Sequence, residues 1–210
     1  MKSVKLKNGF EYLLLKNNSK LCCIQFKLNV GSKDDPNDKQ GLAHVTEHML
    51  YDNNIDNILD DLGVNWNAYT NRDSTGYTFI FKKSKMNKLL HIIKTMMFNM
   101  KFQKHFFEKE KNVVIEEIHL KNSQRPHRLM DFVYKNMFLS TYKNSVKGTV
   151  KHIENINMND LIIFYKKWYI PENIKLVCIG DFNSQSISNF LNKLRLLIFR
   201  YIYFNISHTK

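Results

Sequence analysis

Three features of the sequence agree with an α+β fold in a single domain. Among the strand-like stretches, Leu21 to Val30 shows period-two alternation and Ser74 to Phe81 is rich in β-formers. Helical apolar spacing occupies about residues 85–100 and 103–121. The length of 210 residues, with 43% hydrophobic and 24% charged side chains, suits one good-sized globular domain and is short for two.

Taken in order, Val4 to Leu15 is expected to form two short strands around the turn pair Asn8-Gly9. Leu21 to Val30 follows as a strand, with Cys22, Ile24, Phe26, Leu28 and Val30 alternating with Cys23, Gln25, Lys27 and Asn29. Gly31 to Gln40 is a polar loop containing Asp34, Asp35 and Pro36. A helix is expected from Gly41 to about Tyr51, then a short one from about Ile55 to Leu62, stopped by Gly63. Val64 to Ala68 and Ser74 to Phe81 read as paired strands.

Ser84 is placed to cap a helix from Lys85 to about Met100, with Met86, Leu89, Leu90, Ile93, Met96, Met97 and Met100 on its buried side. That run of methionines reads as core. Another helix spans about Gln103 to Lys121, Pro126 interrupts the chain, and a helix follows from about His127 to Leu139. After a polar loop from Ser140 to Thr149, Asn159 or Asp160 is expected to cap a helix to Tyr169, stopped by Pro171. Ile174 to Ile179 is an apolar buried strand, and Ser184 to Leu197 a last helix. The expected domain covers residues 1–195, and 196–210 form a tail without assignment.

The net charge is +13, from 32 Lys and Arg against 19 Asp and Glu. The basic residues are scattered, with no long basic run and no nucleic-acid motif, so general basicity is favoured over a nucleic-acid partner. Three Cys, with Cys22 and Cys23 adjacent and Cys178 distant, have no zinc-site spacing and read as free thiols in a reducing compartment. The N-terminus carries no signal-peptide or presequence pattern. The apolar segment from Leu191 to Ile206 is broken by Lys193, Arg195 and Arg200 and is a poor membrane span. A cytoplasmic location is therefore expected, with a mitochondrial one left open, and no membrane partner.

Residues 44–48 read His-Val-Thr-Glu-His. On a helix His44 and His48 are one turn apart on the same face, where two imidazoles can bind one zinc ion. Glu47 lies beside His48, in reach of a metal-held water. This is the H-x-x-E-H order of a class of zinc peptidases.

A third ligand is sought on the helix at about 103–121. Phe106, Phe107, Val113, Val114, Ile118 and Leu120 define a broad apolar face, with Glu110 and Glu117 in its middle, Glu116 at its edge, and Glu108 and His119 opposite. A buried carboxylate needs a cation or strong donors. A salt bridge to a buried Lys or Arg, or a rotated helix exposing Glu117, answers that need as well as a metal does. Combined with the two histidines, the metal reading leads, and two His with one carboxylate is a catalytic zinc shell.

The sequence resembles the pitrilysin/insulinase family of zinc peptidases, which includes the mitochondrial processing peptidases. The blocks that carry the resemblance run in order over about residues 4–190. They are Leu6-Lys7-Asn8-Gly9, Gly31 to Pro36, Gly41 to Leu50, Asn67-Ala68-Tyr69-Thr70, Glu110 to Glu117, and Tyr169 to Asn173 leading to Gly180-Asp181. The resemblance implies a mainly antiparallel sheet covered by helices, one unit of the processing-peptidase type. It implies one Zn2+ held by His44, His48 and Glu117, with Glu47 as general base and Glu110 as a further acidic residue of the catalytic site. Asn67 and Ala68 match the family's strand edge, which pairs with extended peptide substrate.

Two departures stand out. The stretch between His48 and Asn67 is shorter than usual for the family. The chain is also one unit long, whereas active members pair two such units, the second contributing an Arg and a Tyr near the substrate carbonyl. The expected function is a zinc metalloendopeptidase acting on peptides or unfolded segments. The alternative is a half-enzyme that needs a second unit, as a homo- or hetero-dimer.

Overall fold

The computed structural model describes residues 3–51 and 53–194. The strands are β1 (Val4–Lys5), β2 (Glu11–Lys16), β3 (Leu21–Leu28), β4 (Asn65–Thr70), β5 (Thr75–Lys82) and β6 (Ile174–Gly180). They form one sheet in the order β1-β2-β6-β3-β5-β4. Every neighbouring pair is antiparallel except β2 and β6, which run parallel. The α+β fold with a mainly antiparallel sheet is thus found, with one parallel pair that the local alternation of β2 and β6 could not reveal.

One face of the sheet builds the core. Cys22, Ile24, Phe26 and Leu28 of β3 lie buried across from Phe81, Phe79, Tyr77 and Thr75 of β5. Ile24 and Phe26 also meet Cys178 and Leu176 of β6. Each large apolar side chain buried in this way stabilises the fold by about 1.5–3 kcal/mol. The other face carries half-buried Cys23, Gln25 and Val177 and exposed Ile80 and Ile179, and stays open among the described residues. All three Cys are free thiols.

The helices are α1 (Leu42–His48), α2 (Asn53–Asp61), α3 (Met86–Phe98), α4 (Lys104–Ser123), α5 (Arg125–Met137), α6 (Val150–Asn155) and α7 (Met158–Trp168), with residues 184–194 helical after β6. The expected end of that last helix, at residue 197, lies outside the described residues.

Several boundaries differ from the sequence reading. α1 ends at His48 rather than near Tyr51, because Leu50 N–H bonds to Glu47 O and tightens the last turn. Ser84 caps nothing; it lies in a 3-10 turn, Lys83–Lys85, which leads straight into α3. Pro126 sits inside the first turn of α5, where its missing N–H costs no hydrogen bond, so it starts that helix rather than interrupting the chain. α6 went unread because only Val150 and Ile153 are apolar in its six residues; Thr149 caps it by accepting from His152 N–H. The cap of α7 is Asn157, with Asp160 returning the bond to Asn157 N–H in a capping box.

Candidate metal centre

The centre is built on α1, all seven residues of which are buried. The chain enters it through Gly41, at φ +94°. Asp35 holds this entry: its Oδ2 accepts Gly41 N–H at 2.7 Å and its Oδ1 accepts Ala43 N–H at 2.8 Å. Two donors left over by the helix start are thereby satisfied. No local pattern marks Asp35 as a cap, since six positions ahead of Gly41 is outside any ordinary cap spacing.

Burial pushes the Asp35 carboxyl up to about 7, against the bonds from Ala43 and Gly41. A carboxyl whose folded pKa is raised binds its proton more tightly when folded. Its contribution to stability is full below about 4, the unfolded value, and is lost as pH rises through about 7. Asp35→Asn has no such proton, and its amide can accept only one of the two N–H groups. Chemical denaturation at pH 4 to 8 is expected to show lower stability for Asp35→Asn and a flatter pH dependence than wild type. An unchanged slope would refute the assignment.

His44 and His48 meet edge to face, with ring centroids 4.6 Å apart. His44 Nε2 lies 3.6 Å from Glu117 Oε2, and His48 Nε2 lies 3.8 Å from Glu117 Oε1. The ligand atoms of these three residues all fall within 4.8 Å of one another. Ligands about 2.05 Å from a tetrahedral zinc ion stand about 3.4 Å apart, so small side-chain shifts would close the set around an ion. Two imidazoles and one carboxylate are also the donor types zinc takes. The residues fit the ion.

The surroundings suit ligand work. Glu110 Oε2 lies 3.1 Å from His48 Nδ1, which leaves Nε2 for the cluster. Burial, then the charges of His48, Lys147 and Lys121, hold His44 well below the usual histidine range, in the neutral form a ligand needs. At His48 burial pulls down, but the Glu110 hydrogen bond and the charges of Glu47, Glu117 and Glu110 outweigh it, and the net shift is upward. Glu47 is 4% exposed and accepts a 2.5 Å bond from Thr70 Oγ1. Burial raises its pKa, against the Thr70 bond and the His48 charge. Tyr51 lies tilted beside His48 and meets Trp66 of β4 edge to face, giving the site an aromatic wall.

α4 is rotated relative to the expected face. Its buried residues are Phe107, Glu110, Lys111, Val114 and Ile118, while Val113 and Leu120 are exposed at 37% and 63%. Glu117 therefore lies at the flank of the stripe, its side chain 32% exposed, and reaches α1 from the side. The centre is taken by Lys111, whose Nζ donates to Glu154 O and Ile156 O. Its alkyl stem is apolar and its head needed only two carbonyls from the end of α6, a partner no local pattern displays.

Beside the cluster opens a cavity of about 520 Å3, walled by Arg72, Glu117, His127, Tyr134 and Lys147 among others. β4 is the edge strand at that end of the sheet, and Thr70 on it touches Glu47. Asn67 and Ala68 pair with Thr78 and Tyr77 of β5, and the far side of β4 has no strand beside it among the described residues.

Residues 12–150, more than half of the chain, match the family described as insulinase (peptidase family M16). The chain belongs to the insulinase peptidase family. Residues 155–195 match the family's domain described as the peptidase M16 inactive domain. Among relatives, the chain is 29% identical to a Haemophilus influenzae protein named "Probable zinc protease PqqL", over 90% of this chain and 22% of that one. It is 26% identical to Helicobacter pylori zinc protease PqqE, over 91% of this chain and 46% of that protein. A solved protease from Helicobacter pylori superposes with a TM-score of 0.83 at 26% identity, covering 92% of this chain and 49% of that one. The chain thus spans about half or less of the length of these insulinase relatives. No helix among its described residues is long and apolar enough to cross a membrane.

Proposed function

We propose that the chain is a zinc-dependent endopeptidase unit that hydrolyses peptide bonds in extended peptides or unfolded segments. The observation that carries this reading is the convergence of His44, His48 and Glu117 beside the buried carboxylate of Glu47. Those three residues would hold a zinc ion, which would supply Lewis-acid polarisation of a water and of the scissile carbonyl. Glu47 takes the proton from the water and delivers it to the leaving amine. Thr70 fixes the Glu47 carboxylate from the end of β4. Glu110, the further acidic residue of the catalytic site, acts on His48 Nδ1 and helps to position that imidazole. The free edge of β4 at Asn67 and Ala68 takes substrate as an added strand, binding it through main-chain bonds with little sequence choice.

A second reading is favoured by what α5 leaves uncovered. Leu129, Met130, Phe132 and Met137 are 62%, 51%, 65% and 72% exposed, and Leu139 just beyond is 99% exposed. Exposed apolar side chains gathered on one helix are what a surface awaiting a partner would present. In this reading the chain is a half-enzyme that completes its substrate chamber with a second family unit or a second copy. Zinc content, mass in solution and cleavage of an unstructured peptide, measured on one preparation, test both. One zinc per chain with cleavage by the monomer is the expected result. Zinc without cleavage until a second unit is added selects the second reading, and absence of zinc at these residues sinks both.

A further inference from the structure

We propose that Lys147 is a built-in counter-cation of the metal centre, which competes with the metal ion for Glu117 and so sets its affinity. The inference rests on the zinc reading above. Lys147 Nζ lies 2.5 Å from Glu117 Oε2, the same oxygen that stands 3.6 Å from His44 Nε2. Both side chains are about one-third exposed, at 30% and 32%, so the pair lies at the wall of the cavity rather than in open solvent.

The other cations of that wall are committed elsewhere. Lys121 Nζ bonds Asp131 Oδ2 at 2.6 Å and Ser145 Oγ at 2.8 Å. Arg72 lies over the Tyr134 ring and donates to the carbonyls of Tyr142 and Asn144. Lys147 alone among these three sits on a candidate ligand.

Its placement is not that of a loose surface arm. Lys147 O and Gln40 O lie where a Cβ on Gly41 and on Gly148, respectively, would project. The backbone of Lys147 is thereby wedged against the start of α1, and its ammonium is delivered to the cluster by the same packing that positions His44.

A divalent ion and an ammonium sharing one carboxylate repel each other at short range, and in a partly buried site that repulsion is poorly screened. Lys147 neutralises the Glu117 carboxylate where α4 faces α1. A metal ion held by Glu117 would compete with the ammonium for the charge of that carboxylate, and the adjoining cavity would receive the displaced side chain. The lysine thus stabilises the metal-free fold and weakens the metal complex.

Zinc affinity of the 210-residue chain, measured by competition with a chromophoric chelator, tests this. Lys147→Met and Lys147→Gln are expected to bind zinc about tenfold tighter than wild type or more. Lys147→Arg is expected to stay close to wild type. The metal-free Met and Gln variants should melt at lower temperature than wild type, with a larger rise on adding zinc. Affinities equal to or weaker than wild type in the Met and Gln variants overturn the proposal, while stoichiometric zinc binding by all of them leaves the metal centre itself standing. Zinc binding by none of the proteins overturns both.

Discussion

Glu47→Gln is expected to lower kcat/KM for peptide cleavage by about 10²–10⁴-fold while zinc stoichiometry stays at the wild-type value. The placement of Glu47 separates a proton-transfer role from ligand binding. It is not among the three residues whose ligand atoms cluster. It is buried, at 4% exposure, directly beside His48 in the chain and on the wall formed by Thr70. Gln keeps the shape and can still accept the Thr70 hydroxyl, so the fold loses little. What it loses is the ability to take a proton. Steady-state cleavage and metal analysis on the same samples make the check. Cleavage at the wild-type rate would dispose of the mechanism, and loss of zinc together with activity would move Glu47 into the ligand set.

Gly148→Ala is expected to destabilise the fold by about 3 kcal/mol or more, read as a lowered midpoint in urea. Gly148 has φ +73°, a conformation that costs an alanine about 1–2 kcal/mol by itself. The added Cβ would also stand 2.1 Å from Gln40 O, 2.6 Å from Gln40 C and 3.0 Å from Gly41 N. These are backbone atoms at the entry to α1, which no rotamer change can move aside. Relief requires shifting either the loop that carries Lys147 or the helix that carries His44. Gly63→Ala is the control: its φ is +66°, but nothing lies within 4 Å of the added carbon, so only the conformational cost applies. A Gly148 variant no less stable than the Gly63 variant would show that the clash is relieved without cost.

β3 was legible because it alternates over its own few residues, whereas β6, expected as a buried strand, has Lys175 and Ile179 exposed on the open face of the sheet. β3 shows the pattern buried at Cys22, Ile24, Phe26 and Leu28, as its sequence alternation predicts. α6 was not legible, since a six-residue helix with two apolar positions has no period to read. The face of α4 was read too broadly, because Val113 and Leu120 are apolar and yet exposed. Apolar character permits burial without requiring it. Glu117 was nominated as a third ligand partly on that broad face and partly on family resemblance. In the fold it reaches His44 and His48 from the flank of the stripe, paired with Lys147. Both the metal-like cluster and the lysine salt bridge, which periodicity could not rank, are therefore present around one carboxylate.

What the sequence determined by itself is everything that follows from spacing along one segment. His44 and His48 share a helix face because they are four residues apart, and Glu47 accompanies them for the same reason. The ordered family blocks likewise identify the peptidase family without coordinates. Only the tertiary structure decided which groups from distant segments meet that face. Asp35 satisfies the start of α1, Glu110 orients His48, Lys147 claims Glu117, and β4 ends with Thr70 on Glu47. Apart from Asp35, these partners stand 23 to 62 residues apart in the chain. Their meeting depends on how helices rotate as they pack on the sheet, a property of the whole core that no local period records.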